Sequence, residues 1–234
     1  MRRYYPDAVC VSLVLLVLVA IPGLTRGQQG DSAAKLVQEF KNERVFWKQL
    51  EVGKKIVSLR DTSVLRELEP FLSDEDRRVR GNAGFVFASL GDDRGFETIK
   101  DILSDTSYTS TRRSGEKISS DRYYAAHLFG DLRDKRAVPI LIPLLDDARV
   151  NAIVPWALGK IGDKAAIPPL IQALSDKHSD MRVLAIYALE TLKATEALPK
   201  LHLLLDDNEK IHFDGLGTVA EAARGAITKL DGTL

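Results

Sequence analysis

AIPPLIQALSD (166–176) is one of five versions of a single eleven-residue phrase, and its recurrence decides the fold. The others are VLRELEPFLSD (64–74), GFETIKDILSD (95–105), AVPILIPLLDD (137–147) and ALPKLHLLLDD (197–207), with start-to-start spacings of 31, 42, 29 and 31 residues. A period near 30 marks an array in which each unit buries its apolar face only against its neighbours. Within 166–176, Ile167, Leu170, Ile171 and Leu174 fall at i, i+3, i+4 and i+7, one face of a helix. Pro139, Pro168 and Pro199 share a position near the start of that helix, where a missing N–H costs nothing.

Each phrase is preceded by a second helical stripe. VRGNAGFVFASLGDD (79–93) places Val79, Ala83, Phe87 and Leu90 on one face, and VNAIVPWALGKIGDK (150–164) places Val150, Val154, Leu158 and Ile161 there. Gly91 and Gly162 follow the last apolar residue, where a helix end favours a left-handed residue, and Asp76 and Asp147 stand as N-caps. An irregular copy spans 44–74, with Val52, Ile56 and Leu59 in the core. Further first helices are expected at about 121–133, 148–161, 179–193 and 214–230, the last on Val219, Ala223, Ile227 and Leu230. No strand-like alternation occurs. The expected fold is all-α, a solenoid of about five helical hairpins over residues 28–234.

The string ALGKIGDKAAIPPLIQALSD (157–176) resembles the HEAT-like repeat first seen in phycobilisome lyases, and 88–105 and 129–147 match it less closely. That resemblance implies a fold more than a function, because the family includes scaffolds, subunit chaperones, lyase partners and metal-dependent hydroxylases. The hydroxylases depend on His-Glu pairs. No His-Glu dipeptide occurs here, so that activity does not carry over.

The first 27 residues read as a signal peptide. Arg2 and Arg3 precede a 14-residue apolar run, Ala8 to Ile21, which Pro22 and Gly23 break. A spanning helix needs about 20 residues. Thr25 and Gly27 suit cleavage before Gln28; retention of the segment as an anchor is the alternative. Cleavage removes Cys10, the sole cysteine, which excludes disulfides and cysteine metal sites from the exported protein. Lys plus Arg and Asp plus Glu both total 33, so binding to nucleic acid or to a membrane surface is not implied, and with the leader removed no insertion into a membrane is expected.

Little chemistry is legible. His127, His178, His202 and His212 share no metal-ligand spacing, and the pairs Asp92-Asp93, Asp146-Asp147 and Asp206-Asp207 recur at helix ends, as caps would. No nucleophile stands beside a base. No catalytic, cofactor or metal residue is therefore assigned, and no enzymatic activity is expected.

Two departures from the repeat carry the partner-binding candidates. Phe85, His127, Trp156 and Tyr187 occupy one position of the first helix, either as a packing ladder between repeats or as an exposed aromatic strip for a partner or glycan. The 42-residue spacing contains an insertion, SDTSYTSTRRSGEKISSD (104–121), expected as a loop, with Tyr108 and a basic centre at Arg112, Arg113 and Lys117. With Tyr123, Tyr124, His127 and Trp156 these form the candidate set. The expected function is a non-enzymatic scaffold for another protein, periplasmic or secreted in a bacterium. The alternative is an accessory subunit or atypical enzyme acting on an envelope polymer.

Overall fold

The computed structural model describes residues 26–107, 112–212 and 217–232. The expected leader lies outside them except for its last two residues, as does Tyr108. The helices in chain order are α1 (Arg26–Asn42), α2 (Phe46–Ser58), α3 (Leu65–Leu68), α4 (Arg77–Ser89), α5 (Asp93–Ser104), α6 (Arg112–Leu132), α7 (Val138–Leu141), α8 (Val154–Ile161), α9 (Ile167–Ala173), α10 (Ser179–Thr191), α11 (Leu198–His202) and α12 (Val219–Asp231). No strand occurs among the described residues, only an isolated bridge between Lys210 and Thr218. From α2 onward the even-numbered helices form one layer and the odd-numbered ones the other, which is an α-solenoid.

Proline cuts short two of the odd-numbered helices. Pro70 and Pro143 cannot donate to the carbonyl four residues back, so α3 and α7 stop at Leu68 and Leu141 and continue as the 3₁₀ turns Glu69–Ser73 and Ile142–Asp146. Pro168 and Pro169 sit in the first turn of α9 and let it run on, and α5, without proline, is unbroken for 12 residues. The same rule corrects the helix expected at 148–161. Pro155 leaves residues 148–153 as irregular turns, and regular helix begins at Val154.

Both kinds of turn are built on aspartate. Every even-to-odd turn of the five hairpins passes through a left-handed residue: Arg60, Gly91, Arg133, Gly162 and Lys193. Asp61, Asp92, Asp134 and Asp163 follow the first four, and each accepts a hydrogen bond from the N–H two residues on. The aspartate that closes each eleven-residue phrase does the same for the return turn. Asp74, Asp105, Asp147, Asp176 and Asp207 accept from the N–H of Asp76, Ser107, Arg149, His178 and Glu209. These bonds satisfy donors that a helix start leaves open. Asp76 caps α4 as expected from its position.

The core is the apolar stripe of both layers. Ala83, Phe87, Val150, Val154, Leu158, Leu170 and Leu174 are fully buried, while Val79 and Leu90 are only half-buried. The insertion is not a loop throughout, because the backbone is helical from Arg112. Extending a helix already anchored from Asp121 onward adds one bond per residue fixed, so propagation into Arg112–Ser120 is favourable where nucleation would not be.

Candidate functional site

Helix α6 places Tyr124, His127 and Asp131 on one face at intervals of three and four. His127 stacks on Trp156 of α8, centroids 4.6 Å apart and planes 15° from parallel, and stacks more loosely with Tyr124 at 6.2 Å. On the other side, Phe46 of α2 meets Tyr124 edge-on at 5.0 Å, and Trp47 meets Phe46 at 5.1 Å. The result is a row Trp47–Phe46–Tyr124–His127–Trp156 across three even-numbered helices.

Asn82 of α4, fully buried, holds the row together. Its Nδ2 donates to Phe46 O and Gln49 Oε1, each at 2.8 Å, while its Oδ1 accepts from the Tyr124 hydroxyl at 2.5 Å. Cations bracket the rings. Arg78 lies 4.5 Å above Phe46 and Lys160 lies 5.5 Å from the centroid of Trp156. Lys54 pairs with Asp131 at 3.1 Å and with Glu51 at 3.1 Å. Burial opposes the charge on Lys54, yet Asp131 and Glu51 outweigh it and raise its pKa. Burial pushes the Tyr124 hydroxyl far up. Burial also pushes His127 down; Asp131 opposes this, and Lys54 and Lys160 add to it. His127 Nδ1 is buried without a hydrogen-bond partner.

The candidates therefore separate. Tyr124, His127 and Trp156 come together. Tyr123 precedes Tyr124 but points about 100° away round α6 and is exposed. Arg112, Arg113 and Lys117 lie in the first turns of α6, and Arg112 is about 22 Å along the helix from His127. The aligned aromatic register also divides: Phe85 joins the core, His127 and Trp156 stack, and Tyr187 is 42% exposed. Phe46, Trp47, Asn82 and Lys54 lie outside the set that the sequence singles out. The adjacent pair Phe46-Trp47 at the start of α2 is the signal that could have found them. Among the described residues no group of three or more histidines and carboxylates could hold a metal, and no helix is long and apolar enough to cross a membrane.

Residues 146–212 match the family model described as HEAT repeats, and residues 121–147 match the PBS lyase HEAT-like repeat. Residues 121–212 therefore carry repeats of the HEAT type. Among the solved structures to which the chain is similar are three repeat proteins. The complex of CpcE and CpcF of phycocyanin lyase from Nostoc sp. PCC7120 is 22% identical, with 89% of this chain and 76% of that chain covered and a TM-score of 0.45. A computationally designed armadillo repeat protein for modular peptide recognition is 19% identical, with 88% and 94% covered and a TM-score of 0.44. A designed armadillo repeat protein in complex with the peptide (KR)4 is 18% identical, with 89% and 95% covered and a TM-score of 0.46. No curated protein matches the chain.

Proposed function

We propose that this chain is a non-enzymatic scaffold that binds another protein, and that it does so outside the cytoplasm, in the cell envelope. The observation that carries the binding role is the end of the aromatic row. Trp47, 59% exposed, sits on a platform of rings held by the Asn82 network. A large indole that is fixed on one side and open on the other suits the anchor of a protein interface, where aromatic residues dominate the energy. A glycan strip is less well supported, because His127 and Trp156 use their faces on each other. The turn aspartates and several arginines are committed to caps and ion pairs, which supports a binding rather than a catalytic use of the array. The envelope location rests on the leader grammar of residues 1–27.

The test places a benzoylphenylalanine photocrosslinker at Trp47 of the full chain in its cell of origin, with Lys100 as the control position. One protein crosslinked from Trp47 and not from Lys100, in the envelope fraction, is the expected result. Equal or absent crosslinking at the two positions overturns the binding role. A crosslinked protein found only in the cytoplasmic fraction overturns the location.

A further inference from the structure

Three arginines occupy one repeat position, immediately after the leading core position of their helix: Arg80 in α4, Arg122 in α6 and Arg182 in α10. Two of them are used alike. Arg122 Nε donates to Leu103 O at 2.7 Å and Nη1 to Asp147 Oδ2 at 2.8 Å. Arg182 Nη1 donates to Asp176 O at 2.8 Å, Nε to Asp207 Oδ2 at 2.9 Å and Nη2 to Glu209 Oε2 at 2.7 Å. Each guanidinium straps a carbonyl at or near the end of the preceding phrase and takes a carboxylate from the aspartate that closes the next one.

Arg80 completes only half of this pattern. Its Nη1 donates to Asp74 O at 2.5 Å and Glu75 O at 3.3 Å. The carboxylate that should follow is Asp105, but Arg77 Nη2 has taken it, together with the N–H and hydroxyl of Ser107. Among the described residues Arg80 makes no ion pair. It lines a cleft of about 310 Å³ with Arg77, Thr98, Asp101 and Asp105. The Nε of Arg77, in the same cleft, is buried and has no partner.

The geometry points to this cleft as a receptor for a carboxylate, the side chain of an Asp or Glu on the partner protein. The claim rests on the scaffold reading and names the chemistry of one contact. The chain itself supplies the template: a carboxylate would stand toward Arg80 as Asp147 stands toward Arg122. A planar guanidinium offers paired donors that match a carboxylate. Thr98 adds no free donor, since its hydroxyl already donates to Arg94 O. Asp101, exposed on the rim, and Asp105, paired with Arg77 in the cleft, both oppose an incoming anion and hold the affinity down.

The probe is a blocked hexaglutamate peptide, with hexaglutamine as control, titrated into the full chain at about 0.15 M salt, where distant charge attraction is screened. The Arg Nε–H resonances and calorimetry are followed together. The hexaglutamate is expected to bind, shifting Arg80 and Arg77 but not Arg122. Arg80→Gln should weaken it by about tenfold, the worth of a charge-assisted bond. Asp101→Asn should tighten it severalfold. Hexaglutamine binding equally well, Arg80→Gln binding unchanged, Asp101→Asn failing to tighten, or no binding at millimolar peptide would each overturn the assignment. If Arg80→Gln loses its helical circular dichroism, Asp101→Asn, at an exposed helical site, decides alone. Crosslinking from Trp47 does not depend on this cleft, so its persistence alongside a failed peptide titration would sink the carboxylate site and leave the scaffold role standing.

Discussion

His127 and Trp156 lie face to face across the α6–α8 boundary, 4.6 Å between centroids, and Gly130, one turn after His127, is what lets the two helices come that close. A Cβ at Gly130 would stand 2.5 Å from Trp156 Cζ3 and 3.0 Å from Ala157 Cα. The stack therefore joins two repeats at the middle of the array while the other end of the row, at Trp47, remains open.

Trp156→Ala should lower stability. Truncating a core aromatic costs about 3–5 kcal/mol, and this indole is only half-buried, so a loss near the lower end or slightly under it is expected. Urea denaturation of the folded chain measures it. An unchanged midpoint would show that the stack contributes no net packing energy.

Glycines at two helical sites should respond in opposite directions. Gly130→Ala gains about 1 kcal/mol of helix propensity but forces a methyl against backbone that cannot swing away, so a net loss of about 1–3 kcal/mol is expected. At Gly225 of α12 an added methyl would meet nothing within 4 Å, and Gly225→Ala should stabilise by about 0.5–1 kcal/mol. Thermal melts of the two variants give the signs; the same sign for both would refute the close-approach argument.

Arg133 adopts φ 54° in the turn between α6 and α7, a conformation that costs an L side chain about 1–2 kcal/mol. Arg133→Gly relieves that strain and adds unfolded-chain entropy in return. Stability should hold or rise by up to about 1 kcal/mol, since Gly91 and Gly162 make the same turn without strain. A clear loss on denaturant titration would mean that the arginine side chain anchors the turn.

Those turns also show how far the sequence can be read. Gly91 and Gly162 announce left-handed helix ends, because glycine is the residue that such a site favours. Arg60, Arg133 and Lys193 give no such signal, although the backbone does the same thing there. The aspartates are readable as caps, since their role is local and recurs with the period. The aromatic row is only half legible. His127 and Trp156 share a repeat position, so alignment of the repeats finds them. Phe46 and Trp47 belong to a different position of an irregular repeat, and they reach Tyr124 through a buried asparagine whose partners lie 33 to 42 residues away in sequence. Periodicity identifies what repeats, and this contact does not. The helical start of α6 escapes a sequence reading for the converse reason: a Ser/Thr-rich segment with Gly115 reads as loop locally, and its helicity derives from the packed helix that follows.

Acid should weaken the fold first through His127. The groups that face it are Tyr124 and Asp131 on its own helix, Trp156 and Lys160 from α8 and Lys54 from α2. Burial, Lys54 and Lys160 disfavour the imidazolium, Asp131 favours it, and the balance lowers the folded pKa below the ordinary value of 6.5. The unfolded chain therefore takes up a proton near pH 6.5 that the folded chain refuses. Stability from this group is fully present above that pH and is lost as the pH falls through 6.5 toward the folded pKa, with a slope of at most about 1.4 kcal/mol per pH unit. Carboxylates act in a lower window. Asp61, Asp92, Asp105, Asp134 and Glu209 are all held below their usual pKa, so their stabilisation is lost only as the pH drops toward and below about 4. His127→Phe keeps a ring against Trp156 and removes the titration. Its urea midpoint should fall less than that of the unsubstituted chain as the pH drops from 7 to 5. Parallel curves across pH 7 to 5 would show that His127 takes its proton as readily folded as unfolded.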